Sequence, residues 1–362
     1  MKYKVAIGKY QEFEDVLKKI GGLEKFVKPN DKVFIKPNFC ATKSYDTGTV
    51  TNPYLIEKLL ILLKKITNNI TIGEGPIPVF GKLSKTVHPL VYEIAEKYNV
   101  EILDLNYTDK ETIGSFVVAK PILEADVLIN MPVLKTHVRT GVTISLKNMM
   151  GAVPLRLKHE MHKNGLDIRI VELAKVIKPH LNIVDATICQ EGEGPTAGTP
   201  VGLDLVIAGD NQVAVDSMCC KIMKVNPRII THIRLAEKAK LGSISDVEFI
   251  GFKPEFVHKF KLASMYKNMF IRLGMQIAEG SIIQFFERNN GILIDKSKCT
   301  KCNKCVQACP VTALVMFDEG PVVENKKCIL CLCCHEACLN KAIMIKKKGI
   351  TGSGIINSMK TK

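Results

Sequence analysis

From the amino terminus to about residue 250, short apolar runs alternate with amphipathic stretches of helical period. This is the pattern of an α/β domain, a parallel or mixed sheet with helices on both faces. The runs predicted as strands are Lys32 to Lys36, Ile70 to Ile72, Val100 to Leu103, Val127 to Asn130, Leu181 to Val184 and Leu205 to Ala208. Thr51-Asn52-Pro53 leads into Tyr54-Leu55-Ile56-Glu57-Lys58-Leu59-Leu60, a capping side chain and a first-turn proline ahead of a helix. We assign residues 1–254 to this domain.

Residues 255–290 change character. Lys259, Lys261, Lys267 and Arg272 alternate with Phe260, Leu262, Met265, Met269, Phe270 and Ile271. A basic amphipathic stretch can lie on a membrane or dock a partner, but the commoner use between two domains is a helical connector. Residues 291–347 are expected to form a small C-terminal α+β domain, and residues 348–362, rich in Lys, Gly and Ser, a flexible tail.

Composition narrows the function. The start lacks the apolar core of a signal peptide, and no run reaches the roughly 18 apolar residues of a spanning helix. A cytoplasmic protein without a transmembrane segment is the expectation. The formal charge of +15 suggests nucleic acid. However, the lysines are spread along the chain and Trp is absent. Nucleic-acid binding therefore ranks last among the functions considered.

Of thirteen cysteines, nine fall between residues 299 and 338. In a chain without an export signal such crowding points to metal rather than disulfides. Cys299, Cys302, Cys305 and Cys309 follow the C-x2-C-x2-C-x3-C spacing, ahead of Pro310, and Cys328, Cys331, Cys334 and Cys338 repeat it. Three closely spaced thiolates hold three irons of one cube, while the fourth cysteine reaches the other cube. The expected cofactors are thus two [4Fe-4S] clusters, one on Cys299, Cys302, Cys305 and Cys338, the other on Cys328, Cys331, Cys334 and Cys309. Paired C-x2-C also builds zinc ribbons, but two tandem runs of four favour iron and sulfide. The module resembles the bacterial two-cluster ferredoxin, with two departures: Leu339 stands where that family has proline, and Cys333 is an additional thiol.

In the α/β domain, polar groups gather where predicted strands end, which is where ligands bind in open α/β sheets. Lys36-Pro37-Asn38 ends one strand and Gly73-Glu74-Gly75-Pro76 another. Asn130 to His137 follows a third, and Glu191-Gly192-Glu193-Gly194-Pro195 a fourth. The two Gly-Glu-Gly-Pro turns are either an internal echo or turn chemistry alone. The densest segment runs from Lys135 to Gly151, with His159 and His162 beyond it. Its candidate catalytic residues are Lys135, His137 and Lys147, which can bind an anion, shuttle a proton or, for a desolvated lysine, form a covalent adduct. Lys36, Asn38, Glu74 and Asn148 are the candidate ligands of a second cofactor, whose identity the motifs leave open. Taken singly, each is also explained as a surface lysine or a loop-capping histidine.

Ile35-Lys36-Pro37-Asn38, the Leu-Lys-Thr-His segment ending at His137, Ser145 to Gly151, and Ala214-Val215-Asp216 resemble the hallmarks of the prokaryotic family catalogued as "domain of unknown function 362", often fused to a ferredoxin. That resemblance implies an iron–sulfur protein of anaerobes and says little of the reaction. The order His137, Lys147, His162 bears a fainter similarity to the nickel-pincer lactate racemase family.

Neither a complete G-x-G-x-x-G turn nor a Walker loop is present. The expectation is an iron–sulfur redox protein, an oxidoreductase if the α/β domain is catalytic. Its clusters would relay electrons to or from a site that takes a small anionic substrate. The alternative is a non-catalytic electron carrier or maturation partner that docks a redox partner protein. Oligomeric state is not encoded in these motifs.

Overall fold

The computed structural model describes residues 2–252, 258–264 and 291–346. The chain divides into two compact units, Met1–Ala263 and Ser264–Lys362. Most of the 255–290 segment and all of 348–362 lie outside the described residues, while residues 258–263 are irregular.

The first unit is built on a ten-stranded mixed sheet. Its strands are β1 (Tyr3–Lys9), β2 (Val33–Pro37), β3 (Ile70–Glu74), β4 (Glu101–Asp104), β7 (Val127–Met131), β8 (Val133–His137), β9 (Gly141–Thr143), β10 (Leu181–Glu191), β11 (Thr199–Gly209) and β12 (Val247–Gly251). The order is β12-β1-β11-β10-β7-β2-β3-β4, with β8 beside β10 and β9 beside β8. Strands β10, β7, β2, β3 and β4 run parallel, whereas β11 is antiparallel to both β10 and β1. A separate hairpin joins β5 (Lys110–Ile113) to β6 (Phe116–Ala119).

Each predicted strand is present, and β1, β5, β6, β8, β9 and β12 are additional among the described residues of this unit. The parallel centre is apolar on both faces, as two-sided burial requires. After α1 (Phe13–Lys19), helix α2 (Pro53–Leu63) buries Leu55, Ile56, Leu59, Leu60 and Leu63 against it, each contributing about 1.5–3 kcal/mol. Its start follows the sequence signal: Asn52 Oδ1 accepts the Tyr54 N–H at 3.0 Å and Pro53 occupies the first turn. Pro132 separates β7 from β8, and its carbonyl accepts the Asp185 N–H at 2.8 Å, so the two follow one another along β10. No described helix is long and apolar enough to cross a membrane.

The described residues of the second unit form two antiparallel pairs, β13 (Gly291–Ile294) with β16 (Ile343–Lys346) and β14 (Leu314–Phe317) with β15 (Gly320–Val323). Each of its two cysteine runs carries one short helix, over Lys304–Gln307 and Cys333–Ala337.

Candidate functional site

Lys36, Asn130, Asn182 and Gly209 are register neighbours across β2, β7, β10 and β11. In-register residues of adjacent strands project from the same face, and these side chains build a polar seam through the sheet. Asn148 Nδ2 donates to Asn130 Oδ1 at 2.8 Å, Asn130 Nδ2 to Asn182 Oδ1 at 2.9 Å, and Asn182 Nδ2 to the Gly209 carbonyl at 3.3 Å. Asn38, just past β2, donates to Asn148 Oδ1 at 2.7 Å. Lys135 of β8 reaches the same asparagine, its Nζ lying 2.6 Å from Asn38 Oδ1, 2.6 Å from the Thr49 carbonyl and 3.4 Å from Cys40 Sγ.

At the other end of the seam Lys36 Nζ pairs with Glu74 Oε2 at 2.6 Å. Both groups are buried. Burial pushes the Lys36 ammonium below the ordinary lysine value, and Glu74 opposes that shift. Glu74 Oε1 accepts the Gly75 N–H at 2.9 Å. Helix α7, Leu155–Lys163 in the numbering in which the short helices Leu83–Thr86, Pro89–Lys97, Lys120–Leu123 and Ser145–Asn148 are α3 to α6, brings Lys158 to the Gly75 carbonyl at 2.5 Å. Burial lowers the Lys158 pKa to about 8, with Glu74 and Asp104 opposing the shift and Lys36 adding to it. Gly151 closes the cluster: a Cβ there would stand 1.7 Å from Glu74 Oε1 and 2.7 Å from Lys36 Nζ.

The structure thus brings Lys36, Asn38, Glu74, Lys135 and Asn148 into one network. His137 is also buried at the end of β8, where Nδ1 accepts the N–H groups of Arg139 and Thr140 at 3.0 and 3.2 Å. Lys147 is half-buried on α6. The start of α6 is held by Asp216, whose oxygens accept the Ser145 and Leu146 N–H groups at 2.8 and 3.1 Å. Burial pushes the Asp216 carboxyl up to about 6 against the opposing influence of His232 and these two N–H groups. His159 and His162 lie on α7, and burial lowers the His159 pKa.

The two Gly-Glu-Gly-Pro turns differ in conformation. Gly73 and Glu74 belong to β3, whereas Gly192 follows β10 with φ +81°. The second turn packs on β8, since a Cβ at Gly194 would meet the Thr136 carbonyl at 2.1 Å. Asn182, Lys158, Cys40 and Thr49 are members of the network that sequence motifs did not single out. A signal existed for Lys158: Leu155, Lys158 and Met161 share one helical face.

In the second unit, one cavity is lined by Cys299, Cys302, Cys305 and Cys338. As a free thiol Cys305 is pushed up to about 11 by burial and then by Cys338, Cys302 and Cys299. Cys334 is likewise raised by burial, then by Cys331, Cys328 and Cys309. The backbone repeats itself. Lys301, Asn303 and Thr312 have positive φ, and so do Leu330, Leu332 and Lys341, each twenty-nine positions after its counterpart. The cysteines recur at the same offset. The Ala313 N–H donates to Cys309 Sγ at 3.1 Å, and Ala342 to Cys338 Sγ at 3.3 Å. Left-handed residues of this kind cost roughly 1–3 kcal/mol each and cluster where a ligand repays them, and turns of this shape aim N–H groups at anionic sulfur. Four thiols around one cavity, with donors turned towards sulfur, fit an iron–sulfur cube. Cys333 is a half-buried neighbour that hydrogen-bonds Cys331.

The cysteine geometry defines the class, an iron–sulfur protein of ferredoxin type, and residues 291–339 match the family model described as a 4Fe-4S dicluster domain. Residues 33–221, over half the chain, match the model of the domain of unknown function DUF362. The chain belongs to the DUF362 family. It is 28% identical over 238 residues to the thylakoid-associated protein sll1697 of Synechocystis sp., covering 63% of this chain and 74% of that protein. Among solved structures, the lactate racemase apoprotein of Thermoanaerobacterium thermosaccharolyticum aligns over 62% of this chain and 57% of its own, at 15% identity and a TM-score of 0.39.

Proposed function

We propose that this chain relays electrons through two [4Fe-4S] clusters to or from a substrate or second cofactor at the buried polar seam of the α/β unit. The observation that carries this reading is the company Cys338 keeps. The last cysteine of the second run faces the cavity of Cys299, Cys302 and Cys305, as the crossed ligation of a two-cluster module requires. Cys328, Cys331, Cys334 and Cys309 make the second set. When bound, each cluster takes up and releases one electron at a time.

The chain's own residues supply the rest. Lys36, Asn38, Lys135 and Asn148 orient the bound molecule, and His137 and Lys147 are the groups assigned to proton transfer. Buried lysines at the carboxyl ends of parallel strands suit a small anion. In this reading the protein is an iron–sulfur oxidoreductase of the cytoplasm.

Anaerobically purified full-length protein should contain about eight irons and eight sulfides. Reduced protein, mixed with candidate anions, should reoxidise faster with the true substrate. Lys135→Met and His137→Gln should abolish that acceleration while the cluster absorbance stays intact. Reversible reduction with no small-molecule effect, together with a co-purifying redox partner, would instead establish the electron-carrier or maturation role. Zinc in place of iron would overturn both.

A further inference from the structure

Leu146 of α6 lines a cavity of about 220 Å³ that shares no residue with the polar seam. That is many times the roughly 10–15 Å³ that a single water needs. Two longer helices meet there, α8 (Leu166–Val176) and α9 (Gln212–Ile222). Lys178, just past α8, and Lys240, just past α10 (Thr231–Lys238), are exposed at its rim, whereas Pro179, Gln212 and Val213 are buried in its wall.

The polar groups of this cavity have bonding capacity left. Lys178 and Lys240 have no carboxylate partner among the described residues, and the one other charged residue of the lining, Asp210, is itself paired with Lys25 at 3.0 Å. At the start of α9, Asn211 commits its whole amide elsewhere: Oδ1 accepts the Ala214 N–H at 3.0 Å and Nδ2 donates to the Leu241 carbonyl at 2.8 Å. The N–H groups of Gln212 and Val213 are therefore left without an acceptor among the described residues, the position of any first-turn donor that no cap reaches. A second observation comes from the Gln212 side chain, which is 8% exposed and lines the cavity. Its Nε2 donates to the Ser145 carbonyl at 3.1 Å, which fixes the orientation of the amide and leaves Oε1 without a donor among the described residues. A buried acceptor of this kind calls for a partner.

We propose that this cavity binds a small oxyanion that carries a hydroxyl, a phosphate monoester or a hydroxy acid. The acidic group lies on the N–H groups of Gln212 and Val213, at the positive end of the α9 dipole and between Lys178 and Lys240. The hydroxyl donates to Gln212 Oε1. The site adjoins the seam through one backbone group, because the Ser145 carbonyl that accepts Gln212 Nε2 also accepts Asn130 Nδ2 at 3.0 Å.

The test is anaerobic titration calorimetry on the full-length, cluster-loaded protein near neutral pH and at low salt. The probes are two matched pairs, glycerol phosphate against propyl phosphate and glycerate against propanoate. We expect saturable one-to-one binding of glycerol phosphate or glycerate, about fivefold tighter than the member of its pair that lacks hydroxyls. Which of the two binds separates the phosphate from the carboxylate source. Lys178→Glu and Lys240→Glu, both at exposed positions, should each weaken binding by about tenfold or more, and Lys178→Arg should retain the affinity. Hydrogen exchange in the peptide spanning residues 210–214 should slow when the probe is bound. Absence of saturable binding by either hydroxylated anion, equal affinity within both pairs, affinity unchanged in both charge-reversal variants, or exchange at 210–214 that does not respond to a saturating probe each overturns the proposal.

Discussion

The Lys135 ammonium donates to Oδ1 of Asn38 at 2.6 Å across 97 positions of sequence, and that asparagine passes the hydrogen bonding on through Asn148 to the centre of the sheet. Lys135→Met would leave Asn38 Oδ1 and the Thr49 carbonyl without this donor. The expected loss is about 2–4 kcal/mol of unfolding free energy. Because Asn38→Ala removes the same interaction, the double variant should lose less than the sum, by about 1 kcal/mol. Urea titrations of the two single variants and the double variant measure this, and strict additivity would show that the contact is not formed.

Lys158 makes stability depend on pH in a defined direction. Its folded pKa of about 8 lies below the ordinary lysine value of 10.5, so between these values the unfolded chain holds a proton that the folded chain has released. Stability should therefore rise with pH across that window and be lost as pH falls through 8, by roughly 3 kcal/mol in full. Lys36 shifts the same way. Lys158→Met should flatten the rise by about one proton, read as the slope of the urea midpoint against pH from 7.5 to 10.

Serine substitutions should sort the cluster cysteines by space and not by sequence. Cys338→Ser is expected to impair the same cluster as Cys299→Ser, and Cys309→Ser the same one as Cys328→Ser. Iron content near half, with one of two electron paramagnetic resonance signals lost in each pair, would agree. If Cys309→Ser and Cys299→Ser lose the same signal, the ligands are not crossed.

Gly151→Ala probes the buried ion pair from above. No rotamer lets a methyl group stand 1.7 Å from Glu74 Oε1, so Glu74 must leave Lys36 or the Met149–Ala152 turn must shift. An exposed glycine gains stability from such a change, whereas here a loss of about 2–4 kcal/mol is expected. A melting temperature equal to the parent's would show that the packing at Gly151 is looser.

The strand ends announced themselves in the sequence because parallel central strands are unbroken apolar runs, and a polar group after such a run must face a strand terminus. Lys36, Asn38, Glu74 and Lys135 could be gathered that way, and Asn148 through the dense polar segment that follows Lys135. The antiparallel pairing of β10 with β11 was not visible, since the apolar runs 181–184 and 205–208 left twenty residues between them and both strands extend well into that gap. Asn182 was not visible. It sits inside an apolar run, and its meaning depends on β7 lying alongside in register. Lys158 was not visible as a member of the network, because its place there depends on the Gly75 carbonyl after β3 lying alongside α7. The ferredoxin spacing was fully explicit, because ligand geometry is written into a local stretch of chain.

The twenty-nine-residue recurrence in the second unit also bears on how the protein is made. If each half lends its last cysteine to the other, the first run leaves the ribosome unable to complete either cube, and the ligand set of the first remains open until Cys338 has been synthesised. Metal delivery then waits for the whole module, and a chain broken between Val323 and Cys328 could finish neither cluster. Under that crossing the two halves, alike in backbone, would form a single unit of assembly.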